Sequence, residues 1–140
     1  MTKTFVIGDI HGGLRALHQV LDRSETTKND TLIFLGDYVD GWSESPQVLD
    51  YLIALGKKQN CIFIRGNHDE LLLNYLKTND YNQEWFKHGG QSTIDAYEKV
   101  SDATRHEHIE FLENHLLLFS ILVKGILTII SGLKFFHFII

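Results

Sequence analysis

Three short apolar runs punctuate the first half of the chain: Thr4-Phe5-Val6-Ile7, Leu32-Ile33-Phe34-Leu35 and Cys61-Ile62-Phe63-Ile64. Continuous runs of about four residues, rich in β-branched and aromatic types, predict strands buried on both faces. Between them the period changes. Leu14, Leu17, His18 and Leu21 fall at i, i+3, i+4 and i+7, with Ala16 and Val20 alongside, and Val48, Leu49, Leu52, Ile53 and Leu55 repeat the pattern. Both read as amphipathic helices. Ser45 is the expected N-cap of the second, with Pro46 at its first helical position. Strand, helix, strand, helix, strand predicts parallel pairing through right-handed crossovers, hence an α/β fold. The chain then reads as helical from Glu70 through Leu76, loops to Glu84-Trp85-Phe86, breaks at Gly89-Gly90, and offers further helices over 92–100 and 104–114.

Each apolar run ends in a polar, glycine-containing cluster: Gly8-Asp9-Ile10-His11-Gly12-Gly13, Gly36-Asp37-Tyr38-Val39-Asp40-Gly41 and Arg65-Gly66-Asn67-His68-Asp69. In a parallel α/β sheet, ligands sit beyond the carboxyl ends of the strands, and all three clusters fall there. Together they supply carboxylates, an amide and imidazoles, the hard oxygen and nitrogen ligands of a two-metal hydrolytic site. Such a site needs one carboxylate to bridge ions roughly 3.5–4 Å apart, and it yields hydroxide from bound water near neutral pH. Any one cluster alone is compatible with an ordinary strand-end turn, because Asp and Gly favour turns. Three in order, each after a strand, point to a site.

Composition narrows the function further. At 140 residues, 44% hydrophobic and 22% charged, the chain is of ordinary globular make-up. A net charge of −5 argues against a nucleic-acid surface, which needs a basic patch. The single cysteine, Cys61, permits no internal disulfide and suits a cytoplasmic location. It is expected to be a small buried residue without chemistry of its own. The run after Met1-Thr2-Lys3-Thr4 is too short for a signal-peptide core, and Asp9 follows at once, so no signal peptide is expected.

The three clusters resemble the signature blocks of calcineurin-like metallophosphoesterases, most closely the phosphoprotein phosphatase branch with bacterial serine/threonine phosphatases and symmetrical diadenosine tetraphosphatases. Trp85, Gly89-Gly90 and Thr93 also suit that branch. The resemblance implies a metallophosphoesterase-type α/β sandwich, of which the N-terminal half is expected here. It implies two divalent ions, manganese, iron or zinc. Asp9 and His11 would hold the first, Asp37 would bridge both, and Asn67 would hold the second. His68 would protonate the leaving alkoxide as general acid, with Asp40 hydrogen-bonded to it to orient and charge the ring. The implied partner is a phosphorylated substrate: a phosphoprotein, a phosphomonoester or a dinucleoside polyphosphate.

The chain departs from the family pattern in two places. The second block usually continues with Arg-Gly, whose arginine grips the substrate phosphate, and here Gly41-Trp42 stands instead. Arg65 precedes the third block and is expected to be structural. The family also uses two later histidines on strand-end loops. His88 follows a helical stretch, His106, His108 and His115 lie on or beside a polar helix and are expected to be solvated, His18 lies at a helix edge, and His137 lacks a strand-loop context. Charge breaks near the same point. All 18 acidic residues lie at or before Glu113, whereas the last 25 residues hold only Lys124 and Lys134. The organisation expected is therefore a metallophosphoesterase domain over residues 1–115 and an apolar tail over 116–140. Three readings of the tail compete: buried strands, a C-terminal membrane anchor, or a frame shift near residue 115 that leaves an inactive, truncated chain. The shifted frame accounts best for the charge break and the missing His-Gly loop.

Overall fold

The computed structural model describes residues 2–114, 116–117 and 134–136. Strands β1 (Thr4–Ile7), β2 (Thr31–Phe34) and β3 (Asn60–Arg65) form where the apolar runs predict them. Helix α1 (Leu14–Arg23) links the first pair and α2 (Ser45–Gly56) the second. Helix α3 (Asn67–Thr78) leaves β3 after one residue, three positions earlier than expected. A short turn α4 (Gln83–Trp85) runs into a π-turn over Phe86–Gly90, followed by α5 (Gln91–Tyr97) and α6 (Asp102–Glu113). Two short strands complete the described elements: β4 (Leu116–Leu117) and β5 (Lys134–Phe136). The sheet order is β4-β3-β2-β1-β5, parallel throughout.

The register explains the core. Phe5 pairs with Leu32 and Ile7 with Phe34, and Phe34 in turn faces Phe63, whose ring stacks on it at 5.1 Å. Because side chains alternate across a strand, these residues share one face, and α1 and α2 cover it. Leu17, Leu21, Val48, Leu49 and Leu52 supply the helical side of the contact. Helix α6 then packs on α2 and α3, closing Leu72, Tyr97 and Leu112 into the same cluster.

Several sequence expectations need correction. Burial on both faces holds for the end of β1 but not for β3, where Ile62 is 47% exposed and Cys61 half-buried. The face that carries Ile62 is open at mid-strand and closed at the strand's end, where Ile64 is buried. Partial burial still pushes the Cys61 thiol up to about 11, away from thiolate chemistry. Ser45 is no N-cap. It is the first residue of α2, the cap position is Glu44, and the Ser45 hydroxyl is buried elsewhere.

The expectations for the tail fall largely outside the described residues, as do those for His115 and His137. Its described pieces pair in parallel, Leu116–Leu117 with β3 and Lys134–Phe136 with β1. Among the described residues no helix is long and apolar enough to cross a membrane.

Candidate metal centre

The loops after β1 and β2 are laced together by their backbones. The Ile10 and His11 amides both donate to the Asp37 carbonyl, Gly12 donates to Tyr38, and Trp42 donates back to His11 at 3.0 Å. This lacing forces unusual backbone: His11, Asp37 and Asp40 all adopt positive φ, at 48°, 52° and 74°. Asp and His tolerate that region better than branched residues, and such strain gathers at functional sites. Glycine is required where the second and third loops cross. A Cβ on Gly66 would collide with the Asp37 carboxylate, and one on Gly36 with the Gly66 backbone.

This crossing brings Asp9, His11 and Asp37 together, with one ligand atom of each within 4.8 Å of the others. The donor set fits a divalent cation by a second observation. The His11 Nδ1 lies 3.1 Å from the Val39 carbonyl, which can only accept, so Nδ1 is the donor of this bond and Nε2 is the ring nitrogen left to face a cation. That Nε2 faces the Asp9 carboxylate at 3.8 Å, too long for a hydrogen bond. Holding the second ring nitrogen this way is the usual means of orienting a histidine ligand. Asn67, the first residue of α3, is exposed. It lies between Gly66, which crowds Asp37, and His68, whose amide donates to Asp37 Oδ1 at 3.1 Å.

Asp40 and His68 form a hydrogen-bonded pair beside this group. The His68 Nδ1 donates to Asp40 Oδ2 at 2.7 Å, and its ring lies edge-on to His11 with centroids 5.0 Å apart. Asp40 is almost wholly buried but not short of donors: Trp85 Nε1 reaches Oδ2 at 2.6 Å and the Thr93 hydroxyl reaches Oδ1 at 2.7 Å. With its proton committed to Asp40, Thr93 Oγ1 accepts from the Asp40 amide at 3.0 Å and from the buried Ser45 hydroxyl at 3.0 Å. The hydrogen bond to Asp40 raises the His68 pKa against the opposing effect of burial.

Several of these supports were not assigned in the sequence. Asp69 accepts from the amides of Asp37, Tyr38 and Gly66 at 2.7–2.9 Å, clamping the second loop to the start of α3. Its signal in the sequence is its place as the last residue of the third cluster, where no role was assigned to it. Trp85 and Thr93 were noticed only as family features, and the π-turn at Phe86–Gly90 delivers them to Asp40. Arg65 does not approach the centre; it bonds the Leu112 carbonyl at 2.7 Å and pairs with Glu70 at 2.9 Å. His88 is exposed beside Glu84 and His106 beside Glu110, and neither joins a metal group among the described residues. His108, expected in solvent, is fully buried. Gly41, at the usual arginine position, has φ +82°, and a Cβ there would meet the His11 carbonyl oxygen at 3.5 Å and the His11 Cβ at 3.6 Å, in ordinary contact.

A parallel α/β sheet with carboxylates and an imidazole converging at its carboxyl end has the donors to hold a divalent cation where such sheets bind their ligands. The chain belongs to the calcineurin-like phosphoesterase family, whose model matches residues 2–131. It is 33% identical over 109 residues to serine/threonine-protein phosphatase 2 of Escherichia coli, covering 77% of this chain and 46% of that protein. It is 28% identical over 124 residues to an asymmetrical bis(5'-nucleosyl)-tetraphosphatase of Oceanobacillus iheyensis, covering 79% and 48%. A symmetrical bis(5'-nucleosyl)-tetraphosphatase of Proteus mirabilis is 39% identical over 71 residues, 50% of this chain and 25% of that one. The chain thus spans about half the length, or less, of these curated relatives. The crystal structure of a putative diadenosine tetraphosphatase shares the fold with a TM-score of 0.54 at 22% identity, covering 82% of this chain and 48% of that one.

Proposed function

We propose that this chain carries a metal-dependent phosphoesterase centre in which Asp9, His11, Asp37 and Asn67 hold two divalent ions and His68 is the general acid. The observation that carries this reading is the Asp40–His68 hydrogen bond, 2.7 Å long, on a ring that lies 5.0 Å from the ring of His11. Bound divalent ions would supply Lewis acidity and a hydroxide from bound water at neutral pH. The residues themselves do the rest. Asp40 holds His68 Nδ1, leaving Nε2 to face a leaving oxygen, and favours the imidazolium that an acid needs. Asp37 would contribute its carboxylate to both ions, and its carbonyl and carboxylate tie the first loop to the third. Oxygen and imidazole donors of this kind accept manganese, iron or zinc.

The substrate class proposed is a phosphate ester or phosphoanhydride, in keeping with relatives named as phosphatases and as dinucleoside tetraphosphatases. The test is hydrolysis of an aryl phosphate by the purified chain with manganese. Turnover is expected to vanish in chelator, to return with manganese, and to fall to background in Asp37→Asn. Turnover that survives chelation, or survives Asp37→Asn, sinks the proposal.

A further inference from the structure

Asp40 is held by two side chains that take no part in the proposed proton transfer, those of Trp85 and Thr93. We infer that both are positioning residues: through the Asp40 carboxylate they fix the aim of the His68 ring, and so govern proton delivery to the leaving oxygen. The inference rests on the phosphoesterase reading, in which His68 is the general acid.

Asp40 is the one hydrogen-bonding partner of the His68 ring among the described residues, so whatever sets the carboxylate sets the ring. Its Oδ2 is shared, with His68 Nδ1 at 2.7 Å and Trp85 Nε1 at 2.6 Å. Its Oδ1 takes the Thr93 hydroxyl at 2.7 Å. The Thr93 oxygen also accepts from the Asp40 amide at 3.0 Å, so one side chain grips both the backbone and the carboxylate of a single residue. That double hold fixes the side-chain torsions of Asp40 on a backbone at φ +74°. A buried carboxylate costs stability that an apolar residue of similar size would not. Three donors on this one therefore point to a geometric task.

The backbone between the two residues is shaped for their meeting. Trp85 and Thr93 are eight positions apart, which on an unbroken α-helix would separate them by about 12 Å along the axis. They converge because the π-turn over Phe86–Gly90 intervenes, with His88 and Gly89 outside helical geometry and Gly89 at φ +116°. Gly89 packs on the second loop: a Cβ there would lie 3.3 Å from the Gly41 nitrogen and 3.5 Å from Asp40 Cβ. A Cβ on Gly90 would come within 2.6–2.8 Å of three indole atoms of Trp85, Nε1 among them. Gly90 itself has a helical φ of −64°, so its bare Cα is needed by the indole and not by the backbone.

Three variants disturb this clamp in unlike ways. Trp85→Phe removes the N–H, Thr93→Val removes the hydroxyl at nearly constant shape, and Gly90→Ala removes nothing but displaces the indole. The full chain is assayed in manganese on an alkyl and an aryl phosphate. The isotope-labelled, zinc-loaded chain is followed by NMR at the Trp85 Nε1 and His68 Nδ1 protons. Each variant should lower kcat on the alkyl phosphate roughly 10- to 100-fold, with KM unchanged and a smaller loss on the aryl phosphate. Thr93→Ser, which keeps the hydroxyl, should restore the wild-type ratio of the two rates. In Thr93→Val and Gly90→Ala the two protons should shift together. If Trp85→Phe does not fold, Gly90→Ala carries the same test. Equal losses on the two substrates, or a Thr93→Ser variant no better than Thr93→Val, overturn the inference and leave the phosphoesterase reading standing. A wild-type chain without metal-dependent turnover sinks that reading, and the proton signals then decide the positioning alone: it stands if the His68 proton moves with that of Trp85 and fails if it stays in place.

Discussion

Asp40 and His68 meet at 2.7 Å, and Asp50 and His108 meet at 2.9 Å, yet burial runs in opposite directions in the two pairs. In the first, the carboxylate side chain is 1% exposed and the imidazole 25%. In the second, the imidazole is fully buried and the carboxylate 54% exposed. The consequence for charge is a reversal of sign. The hydrogen bond that His68 donates to buried Asp40 raises the His68 pKa, whereas burial lowers that of His108 although Asp50 and Glu107 pull it upward. Which partner is desolvated decides whether the ring holds a proton to give or stays neutral as a tether. Neutral His108 is well satisfied: Nε2 donates to Asp50, and Nδ1 accepts from the Tyr97 hydroxyl at 2.7 Å. Asp40 has three side-chain donors from distant segments, so its geometry is fixed before any substrate arrives.

The largest effect that can break this comparison is on catalysis. His68→Ala should reduce turnover of an alkyl phosphate by roughly 10²- to 10⁴-fold, the usual contribution of a positioned proton donor. The loss should be smaller on an aryl phosphate, whose phenolate leaves without a full proton. Asp40→Asn should show the same ordering to a lesser degree, since the ring keeps a partner but loses the charge that favours imidazolium. Equal losses on both substrates would place His68 in binding and not in proton transfer. His108→Ala should leave the ratio of the two rates as it is.

Stability should rank the pairs the other way round for histidine. His108→Ala removes a wholly buried ring, opens a cavity and strands the Tyr97 hydroxyl, at a cost of about 2–4 kcal/mol in urea denaturation. Asp50→Ala, at the exposed end of the pair, should cost no more than about 1 kcal/mol. If the two variants melt alike, the tether is held by its exposed ion pair and not by its buried ring.

The sheet was legible because each strand announces itself by a local run and each helix by a local period. Thr4–Ile7, Thr31–Phe34 and Asn60–Arg65 all form where those signals lie. The loop clusters that meet at the strand ends were legible for the same reason, since parallel topology alone brings them together. What failed to show was anything whose cause lies far along the chain. Thr93 and Trp85 serve Asp40 from 53 and 45 residues away, and no period marks them. His108 shares its helix with exposed His106, and one turn on it aligns with buried Leu112. Its partners, Tyr97 and Asp50, lie 11 and 58 residues distant, so spacing on α6 could not distinguish tether from solvated side chain. Ser45 misled in a similar way: a serine before proline looks like a cap, but its hydroxyl is committed to Thr93. Exposure of Ile62 was hidden because an apolar run looks the same whether one face or both are covered.

The smallest effect expected is also the most specific to the buried pair, and it is a pH dependence of stability. Folding lowers the His108 pKa, so the unfolded chain binds a proton more readily at this site than the folded one. The stabilisation of the neutral ring is therefore complete above the ordinary histidine value of about 6.5. It is lost progressively as pH falls from there through the lower folded value. The groups facing the ring are Asp50, Glu107 and Tyr97, with Arg105 beyond, over the Tyr97 ring. The two carboxylates oppose the shift by favouring the charged ring, and burial still prevails. Urea denaturation of the metal-free chain between about pH 7.5 and 5 should show stability falling with pH. In His108→Gln, which keeps a side-chain amide and cannot titrate, that slope should shrink. A slope identical in wild type and His108→Gln would mean that other groups set the acid limit of this fold, and that His108 is neutral in the unfolded chain as much as in the folded one.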